Sequence, residues 1–274
     1  MKLCNITVNG ETHPAVVKGE DIYDLRSAGF EGTMNDIIRS GVTTELKSLA
    51  DGCSTPVEAP VYGNILEPDK IICVGFNYPK HASGMKTALP QYPILFSKFA
   101  DSLVPTDSSV FLPPYESTYD YEGELVVIIG RSGFNIPEAE AMDYVFGYTV
   151  GNDISCRAAQ NRTSQFLCGK ASPGFGPCGP NIVTADEYDI STGKSIRSYV
   201  NGELRQDGNT SEMLFSCARI ISYASKYLAL NPGDIIFTGT PSGVALERGE
   251  GWLTPGDVCS VTIEGIGTLV NTMI

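Results

Sequence analysis

Positive charge is scarce in this 274-residue chain: 19 lysines and arginines face 32 aspartates and glutamates, a formal net charge of −13. Such a surface repels phosphate backbones and anionic lipid headgroups, which argues against nucleic-acid and membrane partners. No apolar run approaches the ~20 residues that cross a bilayer, and the start Met1-Lys2-Leu3-Cys4-Asn5 lacks the basic and apolar blocks of a secretory leader. A cytoplasmic location is the expectation. The eight cysteines include no C-x-x-C pair, so neither a zinc cluster nor a dithiol motif is indicated. Several sit in apolar runs such as Ile71-Ile72-Cys73-Val74 and read as small buried hydrophobes. No G-x-G-x-x-G opens a helix after a strand, and no Walker loop occurs, so nucleotide cofactors have no support. Internal repeats and low-complexity tracts are also missing.

What is present is enough apolar material for a large core, 42% of residues, broken by 17 prolines and 29 glycines. Residues 2–17 read as strand, turn, strand around Asn9-Gly10, a pair suited to the positive φ angles of a two-residue hairpin. Two helical patterns follow, near 20–28 and 33–50. Pro56, Pro60 and Pro68 mark an extended linker, which places a domain boundary near residue 60, with a small N-terminal α+β domain at 1–60 and a larger unit at 61–274. Beyond it, β-branched runs closed by glycine dominate (124–130, 145–151 and 234–239), and Asn201-Gly202 signals a second hairpin. The one long helical stripe spans 211–228, from Met213 to Leu228 behind Thr210 and Ser211, and reads as core. Short strands with many turns argue for an α+β, mainly β fold with a barrel-like core, not a doubly wound sheet.

The segment Tyr119-Asp120-Tyr121-Glu122-Gly123-Glu124-Leu125 holds the most chemistry. Alternation along a strand puts Glu122 and Glu124 on one face, about 7 Å apart. They open a strand that is otherwise apolar on both faces, where two carboxylates would lose hydration and repel each other unless a cation compensated them. Asp153 closes another apolar strand, Gly147 to Asn152, and offers a third oxygen if the two strands are close. Three carboxylates without histidine or thiolate favour Mg²⁺ or Mn²⁺. The spacing alone also fits an ordinary surface strand with two solvated glutamates, just as Lys170 alone fits a surface lysine, His81 a loop histidine, and Thr240 a turn residue beside Pro241.

From about residue 61 onward the order of segments resembles the fumarylacetoacetate hydrolase family. The matching stretches are 73–78 with His81; 93–98; Glu122-Gly123-Glu124-Leu125; Gly151-Asn152-Asp153-Ile154-Ser155 with Arg157 and Gln160; Gly169-Lys170 with Gly179-Pro180; 233–244; and 255–257 leading into 263–269. The resemblance implies a mixed β-roll or barrel core and usually a homodimer. It also implies Mg²⁺ or Mn²⁺ on Glu122, Glu124 and Asp153, and 2-oxo or 1,3-dioxo acid substrates that chelate the metal and react through a metal-stabilised enolate. It places Lys170 and His81, the latter on a mobile lid, as catalytic residues, and Arg157, Gln160 and Thr240 against the substrate.

Two positions depart from the family pattern. Gly84 stands where hydrolases of the family pair the lid histidine with a glutamate, and Pro173 stands where an aspartate usually follows the lysine. The metal-binding half thus reads as intact and the water-activating half as incomplete. C–C hydrolysis needs both an electron sink and an activated water, whereas decarboxylation or keto–enol isomerisation needs the sink and a proton shuttle. Hydrolysis of an acylpyruvate-like acid leads as a single reaction. Decarboxylase, tautomerase or other lyase chemistry stays open beside it, as does a catalytically silent metal-binding relative. The substrate-shaping segment 82–92 differs most from the family and leaves the substrate unnamed.

Overall fold

The run Gly123–Ile129 is apolar beyond Glu124 and buried at every position, so it belongs in the middle of a sheet covered on both faces. The computed structural model, which describes residues 1–84 and 88–274, places it there. The strands used below are β1 (Lys2–Val8), β2 (Glu11–Lys18), β3 (Asp21–Asp24), β4 (Ile71–Gly75), β5 (Ile94–Lys98), β6 (Gly123–Ile129), β7 (Val145–Asn152) and β8 (Gly176–Thr184). They continue with β9 (Ser195–Val200), β10 (Glu203–Asn209), β11 (Ile235–Phe237), β12 (Val258–Ile263) and β13 (Gly267–Met273). The main sheet runs β3-β2-β1-β8-β7-β6-β11-β4-β5, and a second sheet runs β10-β9-β12-β13. Pairing is mixed, since β11 is parallel to β4 while β6 is antiparallel to β7 and β11. The fold is α+β and mainly β, as the sequence indicates. The path from β3 to β5 is open, so the expected barrel does not close among the described residues.

Alternate residues of β6 face two different cores. Leu125, Val127 and Ile129 pack with Ile196, Val261 and Ile263 of the second sheet. Val126 and Ile128 pack with Leu3, Met34 and Ile37 from the N-terminal segment. That segment is not held by packing alone: β1 pairs with β8 through Lys2↔Val183, Leu3↔Ile182 and Cys4↔Asn181. Part of the expected linker also joins the sheet, with Val61–Tyr62 pairing against β1.

The long helical pattern at 211–228 is interrupted. A 3₁₀ turn at Thr210–Glu212 is followed by extended chain, and helix proper covers only Cys217–Ser225, capped by Ser216, whose hydroxyl accepts from Arg219 N. Thr210 and Ser211 therefore cap nothing in this helix. The break is held by a tertiary bond that local periodicity does not contain. The Asn77 amide donates to the carbonyls of Phe215 (3.1 Å) and Thr238 (2.7 Å), and its oxygen accepts from Phe215 N at 2.8 Å. The pattern near 20–28 similarly becomes β3 and a 3₁₀ turn, and 33–50 becomes two helices, Met34–Ser40 and Thr44–Gly52. No described helix is long and apolar enough to cross a membrane.

Asn77 is fully buried and ties three chain segments together. Asn77→Leu should lower unfolding free energy by about 1–3 kcal/mol, because the backbone groups it satisfies stay buried without partners. Urea unfolding checks this, and an unchanged midpoint would show that those groups find other partners.

Candidate metal and acid–base site

Asp153 follows β7 directly and Glu122 precedes β6, so the antiparallel pairing Gly123↔Asn152 and Glu124↔Gly151 sets all three acids side by side. The turn of chain is fixed locally: Asp153 N donates to Glu122 O at 2.8 Å, and Glu122 N donates to Asn152 Oδ1 at 2.9 Å. One carboxylate oxygen from each of Glu122, Glu124 and Asp153 lies within 4.8 Å of the other two, and all three residues are buried. Solvated surface glutamates are thereby excluded for this strand.

Burial makes these charges expensive, and the surroundings answer unevenly. Burial alone would raise the Glu122 carboxyl, but the Arg157 guanidinium and the Lys170 ammonium overcome it and hold the group well below the usual carboxylate range. Glu124 receives less help. Burial, then the charges of Asp153 and Glu122, push its carboxyl well above the ordinary value, against the weaker opposing pull of the Lys170 ammonium and a hydrogen bond from Gly239 N at 2.7 Å. Gly239 has φ +95°, and a Cβ there would stand 2.7 Å from that of Asn77, so only glycine brings this N–H to Glu124 comfortably.

Lys170, read from the sequence alone as a surface residue, is buried and donates to Glu122 Oε2 at 2.6 Å and Asp153 Oδ2 at 2.9 Å. Its ammonium stays protonated: burial would lower it, but Asp153 and Glu122 raise it above the ordinary value. The short helix Leu167–Lys170 presses against helix Arg157–Gln160, with a Cβ at Gly169 falling 2.5 Å from that of Gln160 and 2.6 Å from Cys156 O. A larger residue there would push Lys170 off the carboxylates.

Arg157 is buried and fully engaged, donating Nε to Asp120 (2.9 Å), Nη1 to Gln160 Oε1 (2.9 Å) and Nη2 to Glu122 (2.6 Å). Thr240 donates to Gly123 O at 2.9 Å and accepts from Gln206 Nε2 at 2.8 Å. Gln160, Thr240, His81 and Lys170 all line one cavity of about 60 Å³ with Glu122 and Glu124. That is room for an ion and a few waters, at the ~10–15 Å³ each requires. None of its described lining residues comes from 1–60. Pro173 lies on an exposed turn away from it, and residues 85–87 of the substrate-shaping segment lie outside the described residues.

Three further residues join the site that sequence reasoning did not single out. Lys98, at the end of β5, places its ammonium 2.6 Å from Asp153 Oδ1 and donates to the carbonyls of Lys170 and Phe175. Asp120 accepts from Arg157 and from Ala245 N (2.7 Å) and Leu246 N (3.0 Å). Glu247 is hydrogen bonded to His81 Nδ1 across 166 positions of sequence. Lys98 stands inside a stretch that carries the family resemblance, so a signal existed; Asp120 and Glu247 lie outside those stretches.

The donor set fits a hard dication. Carboxylate oxygens are the ligands Mg²⁺ and Mn²⁺ prefer, and Glu122, Glu124 and Asp153 would be the residues to hold such an ion, their oxygens lying within 4.8 Å of one another. Asp153 Oδ1 is buried beside the Lys98 ammonium at 2.6 Å, in an ion pair that lacks hydrogen-bond geometry. Among the described residues, Asp120, Glu122, Glu124 and Asp153 are faced by Lys98, Arg157 and Lys170, which leaves one net formal negative charge that a dication would turn to one positive.

The comparisons agree with this geometry. Residues 70–274 match the family model for the fumarylacetoacetate (FAA) hydrolase C-terminal domain. A mitochondrial oxaloacetate tautomerase of Homo sapiens is 37% identical over 250 residues, covering 88% of this chain and 80% of that protein. A fumarylacetoacetate hydrolase from Exiguobacterium antarcticum superimposes with a TM-score of 0.90 at 34% identity, over 100% of this chain and 99% of that one. A fumarylpyruvate hydrolase from Pseudomonas aeruginosa, solved with Mn²⁺ and pyruvate, gives 0.71 at 31% identity over 81% and 93%. A match of this extent, carried by the very segments that build the acid cluster, makes this chain a member of the fumarylacetoacetate hydrolase family.

Proposed function

We propose that the chain is a Mg²⁺- or Mn²⁺-dependent enzyme that moves a proton on a small 2-oxo or 1,3-dioxo acid, with keto–enol tautomerisation of an acid such as oxaloacetate as its reaction. The observation that carries this reading is the buried Glu122–Glu124–Asp153 triad, two of whose members, Glu122 and Glu124, line one small cavity with the imidazole of His81. The oxaloacetate tautomerase relative supports the choice of reaction. When bound, the dication would hold adjacent oxygens of the acid and draw electron density from its carbonyl. Glu122, Glu124 and Asp153 would be its ligands.

The remaining work falls to the protein's own side chains. Lys170 presents a fixed positive charge to the anionic substrate, and Arg157 fixes Glu122 while Gln160 and Thr240 shape the wall. His81 takes a proton from the carbon beside the carbonyl and returns it to the oxygen, which needs no activated water. A second reading, C–C hydrolysis of an acylpyruvate, is favoured by the His81–Glu247 contact, since an imidazole backed by a carboxylate can also activate water, and by the fumarylpyruvate hydrolase relative. A homodimer and a cytoplasmic location remain part of the proposal, resting on the family resemblance and on composition.

With Mn²⁺ present, oxaloacetate should exchange between tautomers faster than in buffer, followed by enol absorbance; acylpyruvate cleavage or CO₂ release in its place would assign hydrolysis or decarboxylation. Silence across a panel of oxo acids, with metal uptake intact, would assign a binding protein. Glu122→Ala and Asp153→Ala should abolish Mn²⁺ uptake in calorimetry while the far-ultraviolet circular dichroism persists. Full retention in both would sink the metal assignment. Lys170→Met should keep or tighten Mn²⁺ binding, because it removes a cation competing for two ligand oxygens, yet raise KM for the anionic substrate about tenfold or more. An unchanged KM would remove Lys170 from substrate binding.

A further inference from the structure

The cavity that Glu122 and Glu124 line is small, about 60 Å³. At ~10–15 Å³ for each water-sized group, it takes an ion and the chelating end of an acid, and little of a tail. One side of it is aromatic. Phe166, half-buried at the start of the helix Leu167–Lys170, meets Phe96 edge to face with ring centroids 5.6 Å apart at 74°. It meets Phe76 in the same way at 6.4 Å and 78°. Perpendicular contacts of this kind are favourable and hold each ring without polar partners.

Beyond this wall lies a larger space of about 540 Å³. Among the described residues, Phe96 and Phe166 are the two that line both cavities. The larger one runs along β5, the outermost strand of the main sheet. Its lining past the wall is largely apolar: Ile71 and Ile72 of β4, then Leu95, Phe99, Leu167 and Leu228.

The two rings of the wall are not equivalent. Phe96 sits within β5 opposite Cys73, and the Lys170 ammonium stands 5.3 Å from its ring centroid, so it is tied to the charged site. Phe166 has no such contact among the described residues, belongs to no strand, and follows exposed chain at 161–165. Its bulk therefore decides whether the two cavities are separate or one.

We propose that Phe166 is the specificity-determining residue that limits the substrate to short oxo acids, by closing the acid cluster's cavity against the apolar space along β5. The inference deepens the proton-transfer reading above by naming its substrate class, and it rests on that reading for the reaction. With the ring in place, a longer acid has to displace a side chain held by two aromatic contacts. With the ring removed, each methylene that enters the apolar space contributes about fourfold in affinity.

Exchange of the C3 hydrogens of 2-oxo acids for deuterium, followed by ¹H NMR in D₂O with Mg²⁺, reads the same proton transfer at every chain length. In wild type, kcat/KM for 2-oxooctanoate should be about one tenth or less of that for 2-oxobutanoate. Phe166→Ala should raise this ratio about tenfold or more. Leu228→Trp added to Phe166→Ala should cancel most of the gain, because Leu228 lines the larger cavity and not the smaller. Circular dichroism and Mn²⁺ uptake check that each variant keeps its fold and metal site, and Phe166→Leu should give a smaller shift of the same sign if the alanine variant does not fold. Equal use of both acids by wild type, an unchanged ratio in a folded Phe166 variant, or a gain that survives Leu228→Trp each overturns the proposal. Calorimetric titration of the same two acids into the Mg²⁺-loaded proteins separates the wall from the reaction. If the affinity ratio responds to Phe166→Ala but no acid exchanges in wild type, the wall stands and the proposed reaction falls. If 2-oxobutanoate exchanges in wild type and neither ratio responds, the reaction stands and the wall falls. Wild type that neither exchanges nor takes up either acid overturns both.

Discussion

Burying four carboxylates within one small volume is the constraint around which this structure is arranged. Each ion removed from water costs several kcal/mol unless it is paired and hydrogen bonded, and mutual repulsion adds to the cost. Lys98, Lys170 and Arg157 compensate Asp153, Glu122 and Asp120 and are themselves buried, so none is free to leave. Glu124 is the member left with one backbone donor, and its raised carboxyl marks the point at which the protein's own cations stop short. In the function proposed above, a dication added to a site so nearly balanced would reverse its sign, and an anionic acid would be welcome only after the metal.

The same network explains why segments distant in sequence must be right together. Asp120 is the meeting point: Arg157 on one side leads to Glu122 and Gln160, and the helix starting at Ala245 on the other leads to Glu247 and His81. The His81 side and the carboxylate triad are therefore one connected body of hydrogen bonds. Glycines serve it by allowing close approach, Gly169 beneath Lys170 and Gly239 beneath Glu124.

Much of this was legible in the letters because strand geometry is local. Glu122 and Glu124 fall on one face by alternation, and Asp153 is brought beside them once its strand pairs with theirs, so the triad followed from two short stretches. Lys170, Arg157, Gln160, Thr240 and His81 reach the same cavity or its wall, although Arg157 and Thr240 turn out to be committed to protein partners. Tertiary bonds were not legible. Periodicity from 211 to 228 could not show that Asn77 would claim Phe215 and delay the start of the helix to Cys217. Nor could the glycine at 84, which reads as a missing carboxylate, show that Glu247 fills its place.

The placement of β1 beside β8 bears on how the polypeptide matures. Lys2 pairs with Val183, so the Lys2–Cys4 part of this edge waits for residues about 180 positions further along the chain, whereas Ile6 and Thr7 are met sooner by Tyr62 and Val61. Until then the hairpin of β1 and β2 shows a partly unpaired edge and the apolar faces of Leu3 and Val16, surfaces that invite association with other chains. Contacts of such long sequence separation form late and slowly. Yield during expression should thus be more sensitive to crowding of nascent chains than the stability of the finished fold would suggest.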